Sequence, residues 1–173
     1  IYGAVEFHKR FDEANLSIKS LIKENRLGKL QYASITYSQK KIIPENIFKL
    51  WSHKSNVFNY LGVHYVDLIK FLTNFKPYEL LAFGQKDYLA SKNINTYDSI
   101  QVMIKWLRDD KKPFVSSHLT NWIDPNSSTA MSNQYISIIG TKGRIDSDQK
   151  NRGLKLNYED NNLDINPYFS STI

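Results

Sequence analysis

Apolar residues recur along this chain at two periods, and the change from one to the other divides it. Near the start, Ala14, Ile18, Leu21 and Ile22 fall at i, i+4, i+7 and i+8, the spacing of one helical face. Asp12 is placed to cap that helix and Gly28 to end it. A second helical stripe, Leu61, Tyr65, Leu68 and Leu72, lies in "NYLGVHYVDLIKFL", Asn59 to Leu72. After Pro77 the helical period stops, and Ile100, Val102, Ile104 and Trp106 alternate with Gln101, Met103 and Lys105, as in a half-buried strand.

Further strands are predicted on the same grounds. The opening run "IYGAVEF" and Leu30 to Ser38 are rich in β-formers, whereas the stretch through Pro44 and Trp51 has no clear period and is predicted to be loop. "RDDKKP" supplies a turn, from which Phe114 to Trp122 returns as an antiparallel partner of the alternating strand. In that return, Ser116, His118 and Thr120 share one face, with Val115 and Leu119 on the other. "QYISIIGTKGRID" reads as strand, glycine-bounded turn, strand. From Asn151 the chain is polar and ends at "NPYFSSTI" without a closing helix.

Two early helices followed by a run of strands predict an α+β fold: an open, mostly antiparallel sheet with helices on one face. The uncovered face is then solvated or meets another subunit; 13% aromatic residues suit such a sheet-to-sheet contact and equally suit a sheet filling its own core. At 173 residues one domain, 1–173, is expected.

Composition narrows the function. There is no cysteine, which excludes disulfides and thiolate chemistry, and no apolar run approaches the roughly 20 residues that span a bilayer. A soluble, cytoplasmic protein without a membrane partner is expected. The net charge of +6 is spread rather than striped, since Lys111-Lys112 adjoin Asp109-Asp110, so a solvated surface is favoured over a nucleic-acid footprint.

The seven glycines show neither GxGxxG nor GxxxxGK[ST] spacing, so no nucleotide phosphate loop is predicted, and "GTKG" reads as a hairpin turn. His8, His53, His64 and His118 share no HxxxH or HExxH spacing, and no metal site is expected. "NLS" at Asn15 and "NSS" at Asn126 match the glycosylation sequon but have no secretory signal beside them.

His64 is the residue whose chemistry stays open. It lies beside the buried stripe of its helix, in a polar row with Tyr60 and Asp67 at i, i+4 and i+7. Such neighbours can set the tautomer and pKa of an imidazole that passes a proton at neutral pH. The other reading is a packing histidine, with Asp67 paired to Lys70 along its own helix.

Taken in order, "VEFHKRFDEA", "RLGKLQYASITYS", a tryptophan, "NYLGVHYVDLIKFL" and "ISIIGTKGRID" resemble the C-terminal half of the glucose-fructose oxidoreductase and inositol dehydrogenase family (Gfo/Idh/MocA), over about Val5 to Asp146. The resemblance implies a two-domain parent whose N-terminal Rossmann domain binds NAD or NADP and whose C-terminal open sheet provides the substrate pocket and the contacts of a homo-oligomer. Only the second part is in this chain, and the missing glycine fingerprint, the missing Glu-Lys-Pro motif and the first residue, Ile1, are expected of a fragment. The parent is implied to transfer a hydride between nicotinamide and a sugar, cyclitol or related polyol, the fragment alone being inactive.

In that resemblance His64 matches the histidine that helps move the hydroxyl proton, and Tyr60 stands where members often have an aspartate. Arg10 matches an arginine after the domain crossover, where it shapes the cleft or forms a domain-interface salt bridge. Trp51 stacks on a sugar ring or anchors its loop in the core. Asp67 is a supporting residue, and no cofactor-binding residue is assigned. Two rivals remain: a noncatalytic carbohydrate-binding or scaffold module of the same fold, and a basic nucleic-acid-binding domain whose binding would fall steeply with salt.

Overall fold

The protein is described from a computed structural model, which covers residues 2, 3, 5–149, 153–158 and 161–165. Its described residues form one eight-stranded sheet with short helices on one face. In chain order the strands are β1 (Leu30–Lys40), β2 (Lys76–Gln85), β3 (Ser99–Leu107), β4 (Pro113–Asp124), β5 (Ser132–Gly140), β6 (Arg144–Asp148), β7 (Gly153–Asn157) and β8 (Asn162–Ile165). The helices are α1 (Glu13–Lys23), α2 (Val63–Thr73) and the single turn α3 (Tyr88–Ser91). The sheet order is β2-β3-β4-β1-β5-β6-β7-β8, and among the described residues β1 with β4 is the one parallel pair. This is the open, mostly antiparallel α+β architecture that the helix-then-strand order predicts.

Residues directly across a ladder share a face, so register shows which side the helices cover. One row runs Val102, His118, Ile35, Ile136, Ser147 and Leu154, and every member is buried. The next row on the other face runs Leu81, Met103, Ser117, Ser34 and Ser137, with Leu81 and Met103 more than half exposed. On β4 the hydroxyl and imidazole face is therefore the covered one: Ser116, His118 and Thr120 are buried, while Val115 is half-buried and Leu119 exposed. Beneath the helices, Ile18 of α1 and Leu61, Tyr65, Leu68, Ile69 and Leu72 in and before α2 join Trp106, Phe114 and Trp122 of the sheet in one core.

Four local expectations change. The described residues of "IYGAVEF" form no strand; they run, exposed as far as Glu6, into a 3₁₀ turn, His8–Phe11. Ile1 and Ala4 lie outside the described residues, as does "NPYFSSTI". Helix α1 ends before Gly28, at Lys23; Asn25 takes the first left-handed conformation (φ 56°) and Gly28 a second (φ 67°). That second turn brings Leu27 against the β5–β6 hairpin so closely that a Cβ on Gly140 would lie 2.0 Å from the Leu27 carbonyl oxygen. Strand β2, which sequence periodicity does not reveal, is exposed along its whole length at the sheet edge, so neither face imposes alternation. Finally, the helix of Asn59 to Leu72 begins with a π-helical turn, Phe58–Gly62, and is α-helical only from Val63.

Candidate functional site

The π turn decides what Tyr60 touches. A wider turn shifts the residue that sits above it, so the polar row of Tyr60, His64 and Asp67 does not form. Tyr60 is carried into an aromatic cluster, its ring centroid 5.0 Å from Phe48, 5.5 Å from Trp51 and 5.9 Å from Trp122. Trp51 also lies 4.4 Å from Phe48 and is half-buried, so it anchors its loop while keeping part of its ring at the surface. Trp122 Nε1 donates to Gln39 Oε1 at 3.1 Å, which ties the cluster to the end of β1.

Asp67 turns the other way. Both its oxygens accept from Arg10, Nε to Oδ2 at 2.7 Å and Nη2 to Oδ1, a two-point pairing between the 3₁₀ turn and α2. Lys70, the expected helical partner of Asp67, folds instead onto the Asn74 carbonyl and side-chain oxygens, each at 2.8 Å. Arg10 is thus a brace that fixes the entering chain to α2.

His64 has a different set of neighbours. It is half-buried, with the ring of His8 at 5.1 Å and that of Phe7 edge-on at 6.1 Å. Its Nδ1 is buried and has no hydrogen-bond partner among the described residues. Burial, then His8 and Lys9, hold its pKa below the ordinary histidine value, against smaller upward pulls from Asp67 and Glu6. At neutral pH the imidazole is therefore uncharged and able to accept a proton.

Lys9 is the residue that sequence reasoning missed. It is only 4% exposed, and its Nζ donates to Gln134 Oε1 of β5 and to Gln149 Oε1, just after β6, at 2.8 Å in the second case. The rings of Tyr37 on β1 and Tyr65 on α2 each lie 4.9 Å from the ammonium. Burial lowers its pKa to about 8, with Asp12 pulling the other way. Burial, and less strongly Tyr60, pushes the Tyr37 phenol up to about 12, and burial also raises Tyr65. A lysine between a histidine and an arginine reads as surface charge, and no periodic signal marks it as buried.

A cavity of about 790 Å³ lies apart from this cluster, between the loop containing Glu45 and His53 and the loop containing Tyr88 and Asn95. Its lysines and asparagines are exposed and His64, Lys9 and Tyr60 do not line it. Among the described residues no group of three His, Asp or Glu side chains could hold a metal ion, and no helix is long and apolar enough to cross a membrane.

Residues 15–146 match the GFO/IDH/MocA C-terminal domain family. The chain belongs to that family. Among solved structures, an inositol dehydrogenase homolog from Azotobacter vinelandii in complex with NAD+ is similar at a TM-score of 0.78 with 12% identity, over 96% of this chain and 44% of that one. An oxidoreductase from Sinorhizobium meliloti gives 0.74 and 14%, over 95% of this chain and 43% of that one. Myo-inositol 2-dehydrogenase from Lactobacillus plantarum gives 0.68 and 14%, over 82% and 40%. At such identities the likeness is one of fold, and this chain spans less than half the length of these proteins. No curated protein sequence matches it.

A nicotinamide dinucleotide can be tested against the residues present. The Gly140 amide is bonded to the Gly143 carbonyl at 2.9 Å, and Gly28 is packed on Thr141 and Lys142, so these glycines offer the dinucleotide phosphates no cradle. The His64 imidazole is half-buried, with its Nδ1 buried and without a partner among the described residues.

Proposed function

We propose that residues 1–173 are the substrate-binding and oligomerisation domain of a cytoplasmic, two-domain NAD(P)-dependent oxidoreductase acting on a sugar, cyclitol or related polyol. Membership of the family and the fold shared with dehydrogenases support this reading, and one similar structure is described with both NADH and myo-inositol. The cofactor supplies hydride transfer when bound. This chain supplies the proton acceptor: neutral His64 takes the hydroxyl proton as the carbon is oxidised and returns it in the reverse direction. The observation that carries the proposal is a half-buried imidazole, with no carboxylate hydrogen-bonded to it among the described residues, whose surroundings hold its pKa below the ordinary histidine value.

The remaining residues take supporting roles. Tyr60 and Trp51 offer aromatic surface to a sugar ring, and Arg10 with Asp67 keeps α2 in register with the chain entering the domain. The decisive variant is His64→Asn in the intact protein, for which turnover falls at least roughly a hundredfold while cofactor affinity hardly changes. Undiminished turnover would reduce His64 to packing. A second reading, a carbohydrate-binding module without turnover, is favoured by Tyr60 in the position of the family aspartate and predicts sugar binding without any turnover to lose.

A second copy is the partner assigned to the open face. Phe83, Leu81 and Met103 are 65%, 55% and 51% exposed on it, alongside Leu119 and Tyr32. Contiguous exposed apolar surface of this kind marks an interface. Met103→Lys combined with Leu81→Lys is expected to lower the mass measured by light scattering to that of a monomer, and an unchanged mass would remove the open sheet as the interface.

A further inference from the structure

The burial of Lys9 calls for an explanation that stability does not give. An ammonium out of water costs several kcal/mol unless a counter-charge meets it. Lys9 makes no ion pair among the described residues; it has two carboxamide oxygens and two ring faces. A methionine would fill the same space between Tyr37 and Tyr65 without a charge to desolvate. The groups that hold the ammonium come from four places, β1, β5, the residue after β6, and α2, and Tyr65 of α2 is the chain neighbour of His64. On its other side Lys9 adjoins His8, whose ring is 5.1 Å from that of His64.

We propose that Lys9 is the positioning residue of this site: its buried ammonium ties three strand ends to the helix that carries His64, and it holds a positive charge at neutral pH next to His8, whose ring packs on that imidazole. Two consequences follow for the proton. A second positive charge on His64 is disfavoured, so the imidazole waits in its neutral form; once it has taken a proton, the same repulsion hastens release to solvent. The groups facing His64 pull both ways: His8 and Lys9 disfavour the imidazolium, and they outweigh Asp67, already met by Arg10, and Glu6, which favour it. Facing Lys9 itself are Asp12, Tyr37 and Tyr65.

The importance of Lys9 for turnover rests on the proposed role of His64; its electrostatic effect does not. The test is therefore a nuclear magnetic resonance titration of the His64 imidazole in the intact protein, assigned by its loss in His64→Asn, run beside the pH profile of kcat/KM. In Lys9→Met the His64 midpoint rises by about half a pH unit or more, the acid limb of the profile moves with it, and Lys9→Arg restores both. An unchanged midpoint in folded Lys9→Met overturns the proposal. A shifted midpoint with an unshifted profile upholds Lys9 and overturns His64 as the proton carrier. If Lys9→Met does not fold, the unmodified protein still decides: its His64 signal should show a second, smaller inflection near pH 8 as Lys9 loses its proton, and a single inflection rejects the coupling.

Discussion

Two histidines on the covered side of the sheet, His64 and His118, have the same side chain and opposite surroundings. Each has a buried Nδ1 without a partner among the described residues. His118 sits in mid-sheet, 1% exposed, with Phe58 edge-on at 6.3 Å. Trp106 Nε1 donates to Ser116 Oγ at 2.7 Å, so the Ser116 hydroxyl hydrogen is free to go to His118 Nε2 at 2.8 Å, which leaves the proton of the neutral ring on Nδ1. His64 has no such chain of donors; its neighbours are charged or titratable and part of its ring reaches the surface. Burial alone shields the His118 ring, whereas the His64 ring is partly exposed among charged groups, the setting in which the proposed proton transfer would need it.

The largest expected effect belongs to the shielded member. Burial holds the His118 pKa at about 4 in the folded protein, below its ordinary value of 6.5. Between those values the unfolded chain binds a proton that the folded one refuses, so stability is fully present above pH 6.5 and declines as the pH falls toward 4, by about 3 kcal/mol in all. Chemical denaturation at successive pH values should show this loss, and His118→Gln, which can still bond Ser116, should flatten it. A loss of the same size in the variant would assign the acid sensitivity to other groups. His64→Asn makes the contrast sharper, because turnover should collapse while the denaturation midpoint hardly moves.

How much of this contrast the sequence reveals depends on which force placed each residue. The stripe of Leu61, Tyr65, Leu68 and Leu72 is legible because apolar burial repeats with the helix, and β3 is legible because one of its faces is covered and the other is not. β2 is not legible, since an edge strand exposed on both faces carries no period. The face of β4 bearing Ser116, His118 and Thr120 would be assigned to solvent by polarity; it is buried with the Trp106 indole bonded to Ser116, Ser116 to His118 Nε2 and Thr120 to the Ile100 carbonyl, while His118 Nδ1 is left without a partner among the described residues.

The site itself is half legible. His64 is recognisable from its motif, but its partners are not, because the π turn re-aims Tyr60 and a contact over 57 residues takes Asp67 to Arg10. The buried place of Lys9 depends on Gln134 and Gln149, more than 120 residues away. Long-range polar contacts have no spacing rule, so they become visible only when the chain is folded.

The smallest expected effect isolates the brace. Asp67 pulls the His64 pKa upward, but its carboxylate is met at two points by Arg10, which leaves Lys9 and His8 dominant. Arg10→Met removes that guanidinium and frees the Asp67 charge one helical turn from the imidazole. The His64 midpoint should then rise by a few tenths of a pH unit, less than in Lys9→Met, because Asp67 acts on His64 less strongly than Lys9 does. Asp67→Asn in the same background should cancel the rise. A shift in Arg10→Met equal to that in Lys9→Met would mean that the brace, and not the buried ammonium, sets the charge state that separates His64 from His118.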